Sequence, residues 1–191
     1  MKELVEAVQK YGKGIGTDIV KVDMFLNHRL DTELLVKMGQ AFAEKFASAS
    51  PDLVLTVEAS GIAAAVTTAM ALGNLPVVFA KKSPSRNVTD DVYQSRVYSY
   101  THSVDNFIRV SKPYLPAGAR VLIIDDFLAN GEACDGLCDL VHQAGATVAG
   151  IGVCVEKSFQ PGRARLEKAG YTVHALARVT AIRDGKLIVE E

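Results

Sequence analysis

The sequence predicts an α/β fold, a mostly parallel twisted sheet flanked by helices, and three observations predict it. From Leu53 onward, short aliphatic runs alternate with segments of helical period, the order that builds βαβ units with right-handed crossovers. The runs 53–57 and 121–124 are continuously apolar, as strands covered on both faces require. Each leads through a small-residue loop into a helix, the arrangement by which open sheets present their carboxyl ends to ligands. With 191 residues, 49% of them hydrophobic and 23% charged, the chain fills one core, so residues 1–191 read as a single domain without linker or repeat.

An opening helix spans Lys2 to Tyr11. Gly12, Gly14 and Gly16 follow; with no strand before them and no strong helix at once after, they read as a flexible turn rather than a nucleotide fingerprint. Asp31 can cap a helix whose apolar positions Leu34, Leu35, Met38, Phe42 and Phe46 share one face and which ends before Pro51. A strand over 53–57, a helix over 61–72, strands over 77–80 and 121–124, a helix over 131–144 and a strand over 147–155 complete the alternation. The polar stretch 83–91 precedes alternating segments around 92–100 and 106–110, which predicts a hairpin-like excursion with a mobile tip. In the tail, Asp184-Gly185 stands between apolar stretches, a two-residue hairpin signal.

Composition narrows the function. A formal charge of -1 and a pI near 6.4 provide no broad basic face, which argues against a nucleic-acid partner and for a small anionic ligand held in a local pocket. No apolar stretch approaches membrane-spanning length and the N-terminus lacks a signal sequence, so no membrane partner and a cytoplasmic location are expected. Three cysteines are unlike a disulfide framework. Cys134, Cys138 and His142 recur at helical spacing, which raises a metal site, but Cys134, Leu137, Cys138 and Val141 trace an ordinary core stripe.

The most informative stretch is Arg120-Val-Leu-Ile-Ile-Asp-Asp-Phe-Leu-Ala-Asn-Gly-Glu-Ala133. An apolar strand stops on Asp125 and Asp126, and Ala129, Asn130, Gly131, Glu132 and Ala133 then form a small-residue turn into a helix. Backbone N–H groups there can approach an anion. The Lys-Ser/Thr ending of a Walker loop and the spaced glycines of a dinucleotide site are both missing. Paired acids ahead of a phosphate-cradling turn suit a sugar phosphate: carboxylates accept hydrogen bonds from vicinal hydroxyls while amides hold the phosphate. The plain alternative is two solvated acids before a helix N-terminus, where acids are favoured by roughly 0.3–1 kcal/mol each. Glu58, Ala59, Ser60 and Gly61 repeat the strand, loop and helix pattern as a second anion cradle, although Ser60 alone would serve as a simple N-cap. Lys81 and Lys82 follow the next strand and can neutralise the same anion.

These blocks resemble the type I phosphoribosyltransferases, and the similarity runs from about Leu4 to Val189. The resemblance implies the type I phosphoribosyltransferase fold, with a small hood subdomain from about 1–30 and 156–191 and a flexible loop. It implies binding of phosphoribosyl pyrophosphate (PRPP) by residues 129–133, with Asp125 and Asp126 as catalytic carboxylates on the ribose. It places departing pyrophosphate at Glu58, Ala59, Ser60, Gly61, Lys81 and Lys82, and matches Ser99 and Tyr100 to a loop that closes over PRPP. Glu156-Lys157, with Lys21-Val-Asp-Met-Phe-Leu-Asn27-His28, resembles the xanthine-using branch, which puts Val20, Asn27 and Lys157 at xanthine. Also implied are Mg²⁺ carried with the pyrophosphate, held directly by no residue or through water by Asp125 and Asp126, and a homodimer.

Two departures from the family pattern bear on the chemistry. Hypoxanthine-guanine members commonly carry an acid where Ala129 stands, proposed to manage the purine N7 proton. Xanthine is more acidic and can enter partly as an anion with little general-base help. Ala133 replaces a common hydroxyl residue, which leaves phosphate binding to backbone amides and Asn130. Two rival readings are the same reaction on guanine or hypoxanthine, and a PRPP or nucleotide sensor without catalysis. Neither a helix-turn-helix segment nor a basic surplus supports the sensor.

Overall fold

Alternation along the strands sorts this chain into two apolar layers with a sheet between them. In the computed structural model, which describes residues 1–82, 91–99 and 104–190, helix α1 (Lys2–Tyr11) precedes strands β1 (Lys13–Ile15) and β2 (Ile19–Lys21), a π-helical turn (Asp23–Asn27) and α2 (Thr32–Phe46). Next come β3 (Leu53–Val57), α3 (Gly61–Ala71), β4 (Val77–Ala80), β5 (Val92–Ser99) and β6 (Val104–Ser111). The remainder is β7 (Arg120–Leu128), α4 (Glu132–Gln143), β8 (Thr147–Lys157), α5 (Gly162–Lys168), β9 (Val173–Arg183) and β10 (Lys186–Glu190). The main sheet has the order β10-β9-β8-β7-β3-β4. Its pairs are parallel except β9 with β10, as the βαβ reading requires.

The period-2 alternation of β7 sends Leu122 and Ile124 into one core with Met38 and Phe42 of α2 and Ala64 of α3. Val121 and Ile123 enter the opposite core with Leu137 and Val141 of α4 and Leu166 of α5. All four β7 residues are fully buried, which explains an unbroken aliphatic run. Asp31 accepts the Leu34 N–H at 3.1 Å and starts α2, and Leu34, Leu35, Met38, Phe42 and Phe46 are all buried. The tail hairpin turns through Asp184 and Gly185 at φ 50° and 74°, left-handed backbone that the Asp-Gly pair tolerates.

The structure revises several readings. The glycine stretch at Gly12 is not simply a turn, because β1 and β2 pair antiparallel around Gly16. β7 does not stop at the aspartates: it continues to Leu128, paired with β8 at Asp125–Val153 and Leu128–Glu156. Its pairing with β3 ends at Ile123, so the carboxylates lie just past that register. Lys157 closes β8 rather than sitting in the following loop. Cys134 and Cys138 are buried in the core, and no group of three metal-ligating side chains occurs among the described residues. The predicted excursion is the antiparallel pair β5–β6; residues 83–90 and 100–103 lie outside the described residues. Among those described, no helix is long and apolar enough to cross a membrane.

Candidate active site

Because adjacent strand residues point to opposite faces, Asp125 and Asp126 meet different neighbours. Both are buried. Asp125 Oδ1 accepts the Asp126 N–H at 3.0 Å and lies beside the first residue of α3, where a Cβ on Gly61 would stand 2.8 Å from it. Asp126 Oδ2 accepts from the Asn27 side-chain amide at 3.4 Å. Burial, and then repulsion from Asp126, push the Asp125 carboxyl well above the ordinary carboxylate range, with Lys82 pulling the other way. Removing solvent disfavours the anion, and a like charge next door adds to the cost.

Two helix starts face this end of the sheet. α4 begins after Gly131, whose φ of 96° suits glycine and which, at the N-cap, supplies no side-chain capping bond. α3 begins after Ser60, whose hydroxyl makes no capping bond, so the plain N-cap reading of Ser60 does not hold. Amides without a side-chain cap, at the positive end of a helix dipole, are suited to an anion. The Glu58–Ala59 peptide is cis, and Glu58 Oε1 accepts the Lys82 N–H at 2.6 Å, which ties the 58–61 loop to the end of β4.

Lys81 and Lys82 part company. The Lys81 backbone exchanges hydrogen bonds with Arg109 at 2.9 and 3.0 Å, and Lys81 lines a cavity of about 740 Å³ at the β4 edge with Phe79, Pro113 and Tyr114. Neither aspartate, Asn27 nor Lys157 lines that cavity. The charge of Lys82 acts on Asp125, drawing its carboxyl down against the effect of burial.

Lys157 is half-buried, and Nζ donates to the Asp18 carbonyl at 2.8 Å, in the turn before the strand that carries buried Val20. Its Nζ also stands 6.0 Å from the Phe127 ring centroid. Burial lowers its pKa. Thus Asn27 meets Asp126 and Lys157 meets the Val20 hairpin, two ties between the N-terminal segment and the sheet rim. Ser99 ends β5 opposite Val104, and Tyr100 lies outside the described residues.

Sequence reasoning missed the groups that hold these elements in place. Glu156, 2% exposed, accepts from Arg163 Nε at 3.0 and 2.9 Å and from Arg163 Nη2 at 2.5 Å. It also accepts from Ser158 Oγ at 3.0 Å, and Arg178 Nε donates to the same Ser158 at 3.2 Å. A buried carboxylate with such donors is held rigidly, and its neighbour in sequence is Lys157. The acid next to Lys157 with a following arginine was the available signal. From α5, Gly162 N donates to Ala129 O at 3.1 Å and Arg165 Nη1 to Asn130 O at 2.7 Å; no motif announced these.

A sequence model of the phosphoribosyl transferase domain matches residues 30–173. The chain is 48% identical to the xanthine phosphoribosyltransferase of Streptococcus pneumoniae (strain CGSP14) over 191 residues, 100% of this chain and 98% of that one. It is 46% identical to the xanthine phosphoribosyltransferase of Latilactobacillus sakei subsp. sakei (strain 23K) over 188 residues, 98% and 96% of the two chains. The crystal structure of adenine phosphoribosyltransferase from Rhodothermus marinus DSM 4252 superposes with a TM-score of 0.76 at 22% identity, covering 94% of this chain and 100% of that one. That last likeness is one of fold.

Proposed function

The chain belongs to the phosphoribosyl transferase family, and on that premise we propose that it transfers the 5-phosphoribosyl group of PRPP to xanthine, giving xanthosine 5′-monophosphate and pyrophosphate. The observation that carries the reading is the convergence of buried Asp125 and Asp126 with two uncapped helix starts. Catalysis in this scheme is positioning plus electrostatics. Asp125 and Asp126 accept from the ribose hydroxyls and favour the positive charge that develops at the anomeric carbon. The amides of 129–133 with Asn130 hold the 5′-phosphate, while Glu58 to Gly61 with Lys81 and Lys82 receive pyrophosphate. Val20 packs on the base, Asn27 bridges base and ribose sites, and Lys157 donates to an exocyclic oxygen of xanthine.

Two adjacent buried carboxylates, with no group of three ligating side chains among the described residues, fit a hydrated Mg²⁺ that Asp125 and Asp126 would hold through water. When bound, the ion would neutralise phosphate charge on the leaving group. The segments 1–30 and 156–191 form a hood over the base in this reading: Gly14 N donates to Gly185 O at 2.9 Å, which links the two. A cytoplasmic homodimer completes the proposal. Initial rates of pyrophosphate release from PRPP with xanthine, guanine, hypoxanthine and adenine test it. Xanthine is expected to be preferred; equal or faster turnover of guanine would overturn the base assignment, and no release with any base would overturn the reaction.

A further inference from the structure

A cradle for a phosphate dianion at the start of α4 carries an electrostatic contradiction. Glu132 and Asp135 lie in the first turn of that helix. Acids there complement the helix dipole, but they oppose an anion bound by the same amides. Resolution comes from α5. Arg165 Nη1 stands 3.5 Å from Glu132 Oε1 and donates to Asn130 O at 2.7 Å, while Nη2 is paired with Asp135 Oδ2. One guanidinium therefore meets both acids and the loop carbonyl between them and the aspartates.

The backbone of α5 takes up the preceding carbonyl. Gly162 N donates to Ala129 O at 3.1 Å. A Cβ on Gly162 would stand 2.3 Å from Ala129 O and 3.0 Å from Asn130 C, so only glycine permits this approach. Across a trans peptide, C=O and N–H point in opposite directions. Drawing the Ala129 and Asn130 carbonyls toward α5 turns the N–H groups of Asn130 and Gly131 to the other side of the loop.

We propose that Arg165 is a positioning residue for phosphate: it cancels the first-turn acids of α4 and, with Gly162, orients the loop amides toward the 5′-phosphate of PRPP. The inference rests on the PRPP reading given above. Arg165 is about half exposed, its side chain retaining 48% of its accessible surface. An exposed pair of this kind contributes little to stability, so its effect falls on ligand binding.

The test compares wild type with Arg165→Met, Arg165→Lys and the triple change Arg165→Met/Glu132→Gln/Asp135→Asn. Steady-state kinetics in both substrates, calorimetric binding of PRPP and thermal melting are measured. Loss of a charge-assisted pair is expected to raise the KM and Kd for PRPP about tenfold in Arg165→Met, with kcat and the KM for xanthine within about twofold of wild type. The triple change is expected to recover at least about threefold of that loss, because the repulsion is gone although the arginine is not restored. Arg165→Lys, which keeps charge without the fork, falls between and carries the test if Arg165→Met does not fold. Unchanged PRPP binding in an active Arg165 variant overturns the inference alone, as does a triple variant no better than Arg165→Met. A wild type that binds no PRPP overturns the functional reading and this inference together.

Discussion

Asn27, at the end of the π-helical turn, donates its side-chain amide to Asp126 across 99 residues of sequence at a distance of 3.4 Å. The contact joins the segment assigned to the base with the strand assigned to the sugar. Its length makes it a weak bond in the free protein, so it contributes little to holding the fold.

Replacing Asn27 by Ala is expected to raise the KM for xanthine about tenfold, the worth of one hydrogen bond near a charged group, with little change in melting temperature. Asn27→Asp sets a carboxylate against Asp126 and is expected to be worse than Ala above pH 5 and to approach it at lower pH as the new acid protonates. Initial rates at fixed PRPP over a pH series check both. An Asp variant indifferent to pH would remove the contact's electrostatic role.

Asp125 gives a stability prediction with a definite sign. Its folded pKa is raised above that of the unfolded chain, first by burial and then by Asp126. Below the unfolded value of about 3.9 the group is protonated in both states and costs nothing. As pH rises through the window between that value and the raised folded pKa, the unfolded chain releases the proton first and stability is lost. Asp125→Asn imitates the protonated form, so in metal-free buffer it is expected to melt higher than wild type at pH 7, by about 2–4 °C per kcal/mol gained. The advantage should vanish near pH 3.5. Turnover of the same variant is expected to fall at least about a hundredfold, the scale of a lost electrostatic contact at the reacting centre. A variant less stable than wild type at neutral pH would contradict the cost assigned to burying this carboxylate beside Asp126.

Gly61 tests how closely α3 must approach the acids. A Cβ there would stand 2.2 Å from Thr56 Oγ1 and 2.8 Å from Asp125 Oδ1, both on buried residues of neighbouring strands. Gly61→Ala is expected to cost about 1–3 kcal/mol by overpacking and to lower kcat/KM at least tenfold, because the helix start or Asp125 must move by a distance that matters at about 1 Å. The measurements are denaturant midpoints and PRPP kinetics. A Gly61→Ala enzyme with unaltered PRPP kinetics would show that the approach serves packing only.

Local patterning made much of this legible from sequence. Leu122 and Ile124 face one core and Val121 and Ile123 the other, so a double-sided strand had to read as a solid aliphatic run. Asp31 and Asp184-Gly185 act through bonds and dihedrals within a few residues of themselves, and both appear as expected. What stayed hidden depends on distant partners. Gly150 and Gly152 are where Phe46 and Phe42 rest on β8, with a Cβ meeting the rings at 2.4 and 2.8 Å, and a glycine gives no sign of which ring it admits. Arg165 looks like any exposed helical arginine until α5 is laid against the 129–133 loop. The continuation of β7 past the aspartates follows from its partner β8 running to Lys157, which the polar residues of β7 obscured.

Lys157 separates the ionisation of protein from that of substrate. Burial lowers its pKa from 10.5, while the Asp18 carboxylate opposes the shift more weakly. Rising pH therefore strips the ammonium earlier than in a free lysine, and kcat/KM for a base that it contacts is expected to fall on the alkaline side before pH 10.5. Arginine in its place stays charged, so Lys157→Arg should move that limb upward if its geometry is tolerated. Lys157→Met is expected to raise the KM for xanthine about ten- to a hundredfold and to leave the KM for PRPP nearly unchanged. Xanthine itself ionises more readily than hypoxanthine, and Ala129 offers no side-chain base for N7. A feature of the profile that belongs to substrate should thus shift when hypoxanthine replaces xanthine, whereas the Lys157 limb should stay and should vanish in Lys157→Met. If the alkaline limb survives that substitution, Lys157 is not the titrating donor; if nothing shifts between the two bases, anionic entry of xanthine is wrong.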